Sequence, residues 1–580
     1  MKFGVSFSDN LIVEKKSTAG RFAKANTVWW MGSGRALIFS TILCAAFFVL
    51  IFRLFSLTII HGHEYRVLAD GNRTKEIILH APRGILLDRT GTPLVRNIER
   101  ANRSFTREYL YPLSTAHVVG YTAEITAPEL ADDYYAMRNY KLGDRLGRTG
   151  AESYFEERLR GRDGRELHEV DANGNTMRIL GTDPALPGEN ISLSLDAKLS
   201  EAVYKAFPAG QKGAIVVSNP RTGEILALFS SPTFSLNDFS LGQSKEQYDA
   251  FMANPDEPMF DRAIGGVYPP GSTFKIVTGV GALEEGAITA QTTYEDTGVI
   301  KLGQFSFPNW YFLQYGKTEG EMNLVSAFKR SNDIYFYKAG EALGITKLAA
   351  WARKFGIGKP LGIELPGEAS GLMPDPVWKN LNFVTAADRE ARNNLWFTGD
   401  TYHVAIGQGY LLTTPLQVNF WTNAIANGGK LCRPTIVHAA NPETAEKTNC
   451  KDLGIKKETL NTVLEGMKDA CATGGTGWPF FDFSVKVGES TSSAVVRKIP
   501  VACKTGTAEF GDPNGKTTHA WFTAFAPLRP SDSAGQATLD ANTITGEPEI
   551  SVTVLVEGAG QGSDIAGPIA KKIFEEWFKR

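Results

Sequence analysis

Hydrophobic and polar positions follow three different patterns along the 580-residue chain. Residues 36–60, ALIFSTILCAAFFVLIFRLFSLTII, are almost continuously apolar and carry a single charged residue, Arg53. At a rise of ~1.5 Å per residue, a helix of this length crosses the ~30 Å hydrocarbon core of a bilayer. The pattern predicts one transmembrane signal anchor over 36–60, and a buried core helix is the alternative.

The charges that precede the apolar stretch predict its orientation. Asp9 and Glu14 are the acidic residues there, and they are outnumbered by Lys2, Lys15, Lys16, Arg21, Lys24 and Arg35. Positive charge beside a membrane span favours the cytoplasmic side. We therefore expect a cytoplasmic tail at 1–35 and an extracytoplasmic remainder.

The second pattern, at 61–190, is polar and rich in turns. Short β-like runs such as KEIILH alternate with Gly-Asx turns in segments such as LLDRTG and VDANGN. These features predict extended pairs and hairpins, and hence a β-rich module of its own.

The third pattern, at 191–580, mixes both periodicities. A hairpin is predicted at 213–230, where two apolar runs flank NPRTG, and two late strands at 519–527 and 549–558. Helical patterns cover about 276–286, 323–345 and 457–472, and an amphipathic helix at 568–579 ends the chain. The fold class is therefore α/β and multidomain, with an antiparallel sheet assembled from both ends of the last segment and a helical part between them.

Composition narrows the classes of function. The formal net charge of −2 provides no bulk attraction for nucleic acid. Besides Cys44, the chain contains Cys432, Cys450, Cys471 and Cys503, none in the close Cys or His spacing of a metal site. We expect no metal and no cofactor, and the pairing of these cysteines stays open.

The segment YPPGSTFK, residues 268–275, places a serine and a lysine at the start of an apolar run. Its Pro-Pro-Gly turn begins a helix more readily than it continues one. Ser272 and Lys275 are three residues apart and then lie on one helix face. Burial lowers the pKa of a lysine because it disfavours the charged form. Ser272 is therefore a candidate nucleophile, with Lys275 as its general base and its own backbone N–H as an oxyanion donor.

Two later segments supply companion groups for such a site. KRSNDIYFY contains Ser331, Asn332 and Asp333 just before an aromatic helix. These polar side chains are candidates for relaying protons and binding substrate.

VACKTGTAEF places the motif KTGT, residues 504–507, on a predicted strand. Lys504 attracts a carboxylate, and the hydroxyls of Thr505 and Thr507 bind it. We expect Gly506 to clear space for an extended peptide along the strand, and the Thr507 N–H to be the second oxyanion donor.

Each pattern alone is weak evidence. S-x-x-K recurs as SAFK at 326–329, and a literal SDN occurs at 8–10. The ordered set S-x-x-K, S-x-D and K-T-G-T is far more specific than any of its parts.

With these motifs the chain resembles a class B penicillin-binding protein, from the anchor to the end. RGILLDRTG (83–91), EVDANG (169–174) and IGQGYLLTTPLQ (406–417) match the family as well. EVDANG and IGQGYLLTTPLQ are closer to the sequences of the elongation branch, penicillin-binding protein 2, than to those of the division branch. The resemblance implies an extended pedestal module at 61–190 and a penicillin-binding transpeptidase domain at 191–580.

The resemblance also implies roles for individual residues. It makes Ser272 the acylated nucleophile, Lys275 its base and Ser331 a proton relay. Asp333 stands where many relatives have asparagine. Cys503 stands where a small residue is usual, which suggests a buried structural thiol, with a redox-sensitive site as the alternative.

The activity implied is peptidoglycan D,D-transpeptidation on D-Ala-D-Ala stem peptides, with β-lactams as covalent inhibitors. The implied location is a bacterial inner membrane, with one span and a periplasmic catalytic domain. The ~130 residues at 61–190 are too few for a glycosyltransferase of the bifunctional class. A polytopic SEDS glycosyltransferase and proteins of the elongation complex are the partners implied.

Several alternatives stay open. The division-type transpeptidase, a D,D-carboxypeptidase and a β-lactamase share the serine site. A β-lactam sensor or an inactive scaffold is the non-enzymatic alternative.

Overall fold

A computed structural model describes residues 32–101, 103–171, 173–242, 244–487, 495–511, 517–532 and 542–580. Most of the predicted tail at 1–35, together with the SDN at 8–10, lies outside these residues. Packing divides the chain into two compact units. The first ends at Ile77 and resumes at Arg165–Asp183, and the second comprises Ile78–Gly164 and Pro184–Arg580.

The first unit contains a long apolar helix and a small sheet. Helix Gly32–Phe55 continues as a π-helical turn, Ser56–Ile60, and helix Gly62–Arg73 follows. Within the described residues, Gly34–Ile60 is the single helix long and apolar enough to cross a membrane, with a mean hydropathy of 2.5. It contains the span predicted at 36–60. The sheet has the strand order Thr74–Leu79, Gly164–Val170, Thr176–Asp183.

The remaining parts of the predicted β-rich module, residues 78–164 and 184–190, belong to the second unit. Their strands are Leu86–Leu87, Val95–Glu99, Phe105–Tyr109, Thr122–Glu124 and Arg145–Gly147, and their short helices are Ala116–Val119, Ala127–Leu130, Asp133–Met137, Gly150–Tyr154 and Glu156–Leu159. Leu86 and Leu159 share one hydrophobic core with Leu193, Ala214 and Leu416. The packing of these residues is therefore continuous across position 190.

A five-stranded antiparallel sheet forms the centre of the segment after residue 190. Its strands are β1 (Gly213–Ser218), β2 (Ile225–Ser231), β3 (Ala502–Glu509), β4 (Thr518–Ala526) and β5 (Ile550–Val556). They lie in the order β2-β1-β5-β4-β3, so the early hairpin joins the late strands as predicted. Strand β3, which carries KTGT, is an edge strand paired with β4 from Ala502–Phe525 to Glu509–Thr518.

Helices cover both faces of the sheet, which explains why its strands are almost wholly buried. They are α1 (Ala197–Ala206), α2 (Lys275–Glu284), α3 (Leu324–Arg330), α4 (Asp333–Leu343), α5 (Pro415–Ala426), α6 (Lys457–Ala470) and α7 (Ala566–Phe578). One hydrophobic core joins α1 and α7 to one face, and another joins α2, α4, α5 and α6 to the other face. The predicted terminal helix at 568–579 is thus present as α7.

Smaller elements connect these helices and strands. The other helices are Leu236–Leu241, Lys245–Met252, Trp310–Tyr315, Ile345–Lys354, Pro376–Asn382, Ala386–Glu390, Thr398–Ala405 and Pro442–Asn449, with 3-10 turns at Gly271–Phe274 and Trp478–Phe480. The other strands are Ile191–Ser192, Tyr294–Asp296, Val299–Leu302, Phe305–Pro308, Gly320–Met322, Lys430–Cys432, Cys450–Asp452, Ser484–Val487 and Val495–Lys498.

The prediction of one continuous helix over 323–345 is wrong. The segment forms α3 and α4, because Ser331 adopts the left-handed conformation, with φ 55° and ψ 36°, and ends α3. Asn332 then caps α4 by accepting a hydrogen bond from the Tyr335 N–H.

The expectation of a buried structural thiol at Cys503 is right about burial and wrong about the thiol. Cys503 forms a disulfide with Cys471, and a second disulfide joins Cys432 to Cys450. The sequence separations, 32 and 18 residues, bring together elements that are distant in the chain, so local spacing carried no signal for this pairing.

Candidate active site

A cavity of about 850 Å³ lies where the three motifs meet. Predicted site residues that line it are Ser272, Ser331, Asp333, Thr505 and Thr507. The two lysines of the prediction, Lys275 and Lys504, are fully buried. The fold therefore brings the separate motifs to one place.

The turn before α2 presents Ser272 to this cavity. Gly271 has φ 54°, and a Cβ there would lie 2.8 Å from the Thr507 carbonyl oxygen. The Gly271 N–H donates to the Gly407 carbonyl at 2.9 Å. Only glycine fits so close to both neighbours in this conformation. Ser272 is thereby held between strand β3 and the segment around Gly407.

Lys275 binds the second motif directly. Its Nζ donates to Asp333 Oδ1 at 2.7 Å and to the Ser331 carbonyl at 2.8 Å. The third contact, to Ser331 Oγ at 3.4 Å, is long. Three acceptors thus engage the three ammonium hydrogens, and the weakest is the one most easily exchanged for another partner.

Ser331 joins the two lysines. Lys504 Nζ donates to Ser331 Oγ at 2.8 Å and to the Thr505 carbonyl at 3.0 Å. The left-handed backbone of Ser331 sets its hydroxyl between the two amines. A hydroxyl both donates and accepts, so Ser331 can pass a proton from one amine to the other.

Burial makes the charged form of both lysines unfavourable. It lowers the pKa of Lys275, although Asp333 opposes this effect. Burial lowers the pKa of Lys504 much further, and the neighbouring charge of Lys275 acts in the same direction. Lysines with lowered pKa are suited to accept protons near neutral pH.

Asp333 is fixed from several directions. Its Oδ2 accepts from the Trp310 N–H at 2.9 Å, and its own N–H donates to Asn309 Oδ1 at 3.1 Å. As the first residue of α4, it also lies at the positive end of the helix dipole. The carboxylate beside Lys275 is therefore held in position.

Thr505 and Thr507 lie on the same face of β3, because side chains alternate along a strand. Thr505 is nearly buried and Thr507 is exposed. The Thr505 hydroxyl donates to Thr476 Oγ1 at 2.8 Å. Both threonines are accessible from the cavity that Ser272 lines.

The reason expected for Gly506 needs correction. A Cβ there would lie 2.9 Å from Trp521 Cβ, 3.0 Å from Thr273 Cγ2 and 3.1 Å from the Pro270 carbonyl. The space that glycine leaves is filled by Trp521 and by the turn that carries Ser272. Gly506 therefore lets the nucleophile approach β3, and its side-chain position is not open to a peptide.

The structure also contradicts a substrate contact for Asn332. Its side chain is fully buried, and its Oδ1 caps α4. Its Nδ2 donates to Asp296 Oδ2 at 3.0 Å and to Glu319 Oε2 at 3.1 Å. Asn332 stabilises the backbone that positions Ser331 and Asp333.

Some cavity residues lay outside the predicted motifs. Thr476, Trp310 and His403 line the cavity and come from three different elements or turns. Their sequence surroundings carry no recognisable pattern, so only packing could reveal them. No group of three His, Cys, Asp or Glu residues suited to a metal ion occurs among the residues that the structure describes.

Comparison with known families identifies the class of protein. Residues 213–575 match the penicillin binding protein transpeptidase domain, and residues 100–193 match the penicillin-binding protein dimerisation domain. The chain belongs to the penicillin-binding protein transpeptidase family.

Individual relatives narrow the group. The peptidoglycan D,D-transpeptidase MrdA of Haemophilus influenzae is 32% identical over 489 residues, 82% of this chain and 70% of the relative. The penicillin-binding protein 2 of Helicobacter pylori, solved with MreC, has a TM-score of 0.70 at 26% identity, covering 87% of this chain and 98% of that one. A chain of a peptidoglycan synthase complex, solved to describe how the complex coordinates polymerization and crosslinking, has a TM-score of 0.69 at 25% identity. The match covers 93% of this chain and 98% of that one.

These similarities confirm the predicted fold class and the elongation-type group. They also confirm that the chain is a transpeptidase enzyme of this family.

Proposed function

We propose that Ser272 is the acylated nucleophile of a peptidoglycan D,D-transpeptidase that acts in cell elongation. Its Oγ attacks the carbonyl of the D-Ala-D-Ala bond of a stem peptide, and the terminal D-alanine leaves. One observation carries the assignment: two buried lysines meet at Ser331, which lines the same cavity as Ser272.

Proton transfer follows from the chain of contacts. A substrate carboxylate near Lys504 stabilises the charged form of that amine, so a proton passes from Lys275 through Ser331 Oγ to Lys504. Neutral Lys275 then accepts the hydroxyl proton of Ser272 during attack. It returns that proton to the amine of the departing D-alanine.

Binding and stabilisation involve strand β3. The hydroxyls of Thr505 and Thr507 bind the terminal carboxylate together with Lys504. The backbone N–H groups of Ser272 and Thr507 stabilise the oxyanion of the tetrahedral intermediate. The closeness of Gly271 to the Thr507 carbonyl supports this pairing of the two backbones.

The acyl-enzyme then transfers its acyl group to an amine of a neighbouring stem peptide. The amine nitrogen forms the new amide bond, its proton passes to Lys275, and Ser272 regains a proton as its ester bond breaks. A β-lactam acylates the same serine by opening its ring, which makes it a covalent inhibitor.

The placement in the cell is part of the proposal. We assign a cytoplasmic tail to 1–35, the anchor to 36–60, the pedestal to 61–190 and the periplasmic catalytic domain to 191–580. A polytopic SEDS glycosyltransferase and elongation-complex proteins are the proposed partners. Support comes from the Helicobacter pylori relative solved with MreC and from the synthase-complex structure.

The test is intact-protein mass spectrometry after incubation with benzylpenicillin. We expect one adduct per chain on the wild type and none on Ser272→Ala. Ser326→Ala, in the second S-x-x-K segment, is the matched control and should acylate like the wild type. An adduct of unchanged stoichiometry on Ser272→Ala would refute the assignment.

A further inference from the structure

The turn that follows α6, residues 471–477, connects a disulfide to the cavity. Cys471 follows the last residue of α6, and Cys503 directly precedes Lys504 on β3. Their Cα atoms are 5.8 Å apart, and both side chains are buried in the core under the sheet. The disulfide therefore ties the end of α6 to the strand that carries KTGT.

Gly477 packs directly on this disulfide. A Cβ at Gly477 would lie 2.6 Å from Cys503 Sγ and 3.1 Å from Cys471 Sγ. The Gly477 N–H donates to the Ala470 carbonyl at 2.7 Å. The path of the turn is thus set by the sulfur atoms on one side and by α6 on the other.

The same turn delivers Thr476 to the active site. Thr476 lines the cavity, and its Oγ1 accepts the hydroxyl hydrogen of Thr505 at 2.8 Å. Its backbone N–H donates to the Lys329 carbonyl at 3.2 Å, and Arg330 Nη1 donates to the Gly474 carbonyl at 2.8 Å. The turn therefore contacts both β3 and the helix α3 that ends at Ser331.

We propose that the Cys471–Cys503 disulfide is a positioning element of the active site and that it acts through Thr476. This inference rests on the proposed function, because Thr505 is taken to bind the carboxylate of the acyl donor. When a carboxylate binds, Thr505 donates its hydrogen to it, and Thr476 donates to the Thr505 oxygen in turn. Such a chain of hydroxyls binds an anion more strongly than one hydroxyl does.

Cys432–Cys450 offers a matched control within the same chain. It joins two short paired strands, Lys430–Cys432 and Cys450–Asp452, and neither cysteine lines the cavity. Removing it also deletes one disulfide from the same domain, but it leaves the 471–477 turn intact.

The experiment measures the second-order acylation constant for benzylpenicillin and for its methyl ester, which lacks the carboxylate charge. The variants are Cys471→Ala with Cys503→Ala, Thr476→Val and Thr476→Ser, besides the control Cys432→Ala with Cys450→Ala. We expect the double cysteine variant and Thr476→Val each to lose about tenfold in the ratio of the acylation constant for the free acid to that for the ester. This is the effect of one hydrogen bond to a charged group. Thr476→Ser and the control should keep the wild-type preference.

Thermal unfolding of each variant accompanies the kinetics, so that loss of stability is measured apart from loss of preference. If the acylation constants for the free acid and the ester fall by the same factor, the proposal is overturned, because such a fall indicates general disorder of β3. An unchanged preference in either of the first two variants would overturn it as well. If the wild type forms no acyl-enzyme, the proposed function fails and this inference falls with it.

Discussion

Two clusters of buried charge in this protein are built in opposite ways. Within residues 78–164, Arg83 Nε lies 2.7 Å from Glu152 Oε2, and its Nη2 lies 2.7 Å from Glu156 Oε2. Arg107 Nε lies 3.0 Å from Glu152 Oε1. Two cations therefore face two carboxylates, and the cluster is balanced.

The cluster beneath Ser272 is not balanced. Lys275 and Lys504 approach one hydroxyl, Ser331 Oγ, and Asp333 is the carboxylate that contacts Lys275. The charge on at least one amine is therefore poorly compensated when both are protonated.

The pKa values respond accordingly. Burial acts to lower the pKa of Arg83, but Glu152 and Glu156 outweigh it and raise the pKa. Burial dominates at Lys275 and Lys504 and lowers both values. Removing one partner of a fully paired buried cluster destabilises the fold, because a charge is left buried without compensation. In an incompletely paired cluster the pKa values are shifted, which suits its groups to proton transfer.

The largest expected effect in the test of these two clusters is a fall in the acylation rate. Lys275→Met preserves the length and apolar burial of the side chain but removes the base. We expect the rate of acylation by benzylpenicillin to fall about 10²–10⁴-fold. Lys198→Met, on an exposed position of α1, is the control and should leave the rate unchanged. A loss smaller than tenfold would contradict the role of Lys275 as the base.

The counterpart in the Arg83 cluster is a loss of stability. Arg83→Met leaves Glu152 and Glu156 without one of their cations, and breaking a buried pair costs about 3–5 kcal/mol in the free energy of unfolding. The acylation rate of the molecules that remain folded should not change. Denaturant unfolding measures the free energy of unfolding, and stopped-flow kinetics measure the acylation rate.

Arg96→Met is the control for that experiment. Arg96 is exposed and pairs with Glu108 at the surface, where water screens the ion pair, so its loss should hardly change the free energy of unfolding. If Arg96→Met and Arg83→Met destabilise the protein equally, the buried ion pairs of Arg83 contribute no more to stability than a surface ion pair, and the argument is wrong.

The smallest effect concerns pH. Asp333 raises the pKa of Lys275 against the effect of burial. Asp333→Asn removes this influence and lowers the pKa of Lys275 further, so the rise of acylation rate with pH should move to lower pH. A pH-rate profile measures it, and a shift to higher pH would contradict the sign of the electrostatic argument.

Much of this molecule could be predicted from its sequence, because the decisive signals are local. The apolar run at 36–60, the hairpin at 213–230 and the late strands depend on nearest-neighbour hydrophobic patterns, and the structure contains them. The ordered motifs around Ser272, Ser331 and Lys504 likewise indicated one site. Their residue types restrict the chemistry before any geometry is known.

Tertiary structure decided what depends on distant residues meeting. The position of Ser331 between two lysines, the contacts of the Asn332 amide with Asp296 and Glu319, and the filled space beside Gly506 arise from elements far along the chain. The pairing of Cys471 with Cys503 and the contact of Thr476 with Thr505 have the same origin. Sequence patterns report which face of an element is apolar, but the identity of the atoms packed against it is set by the whole fold.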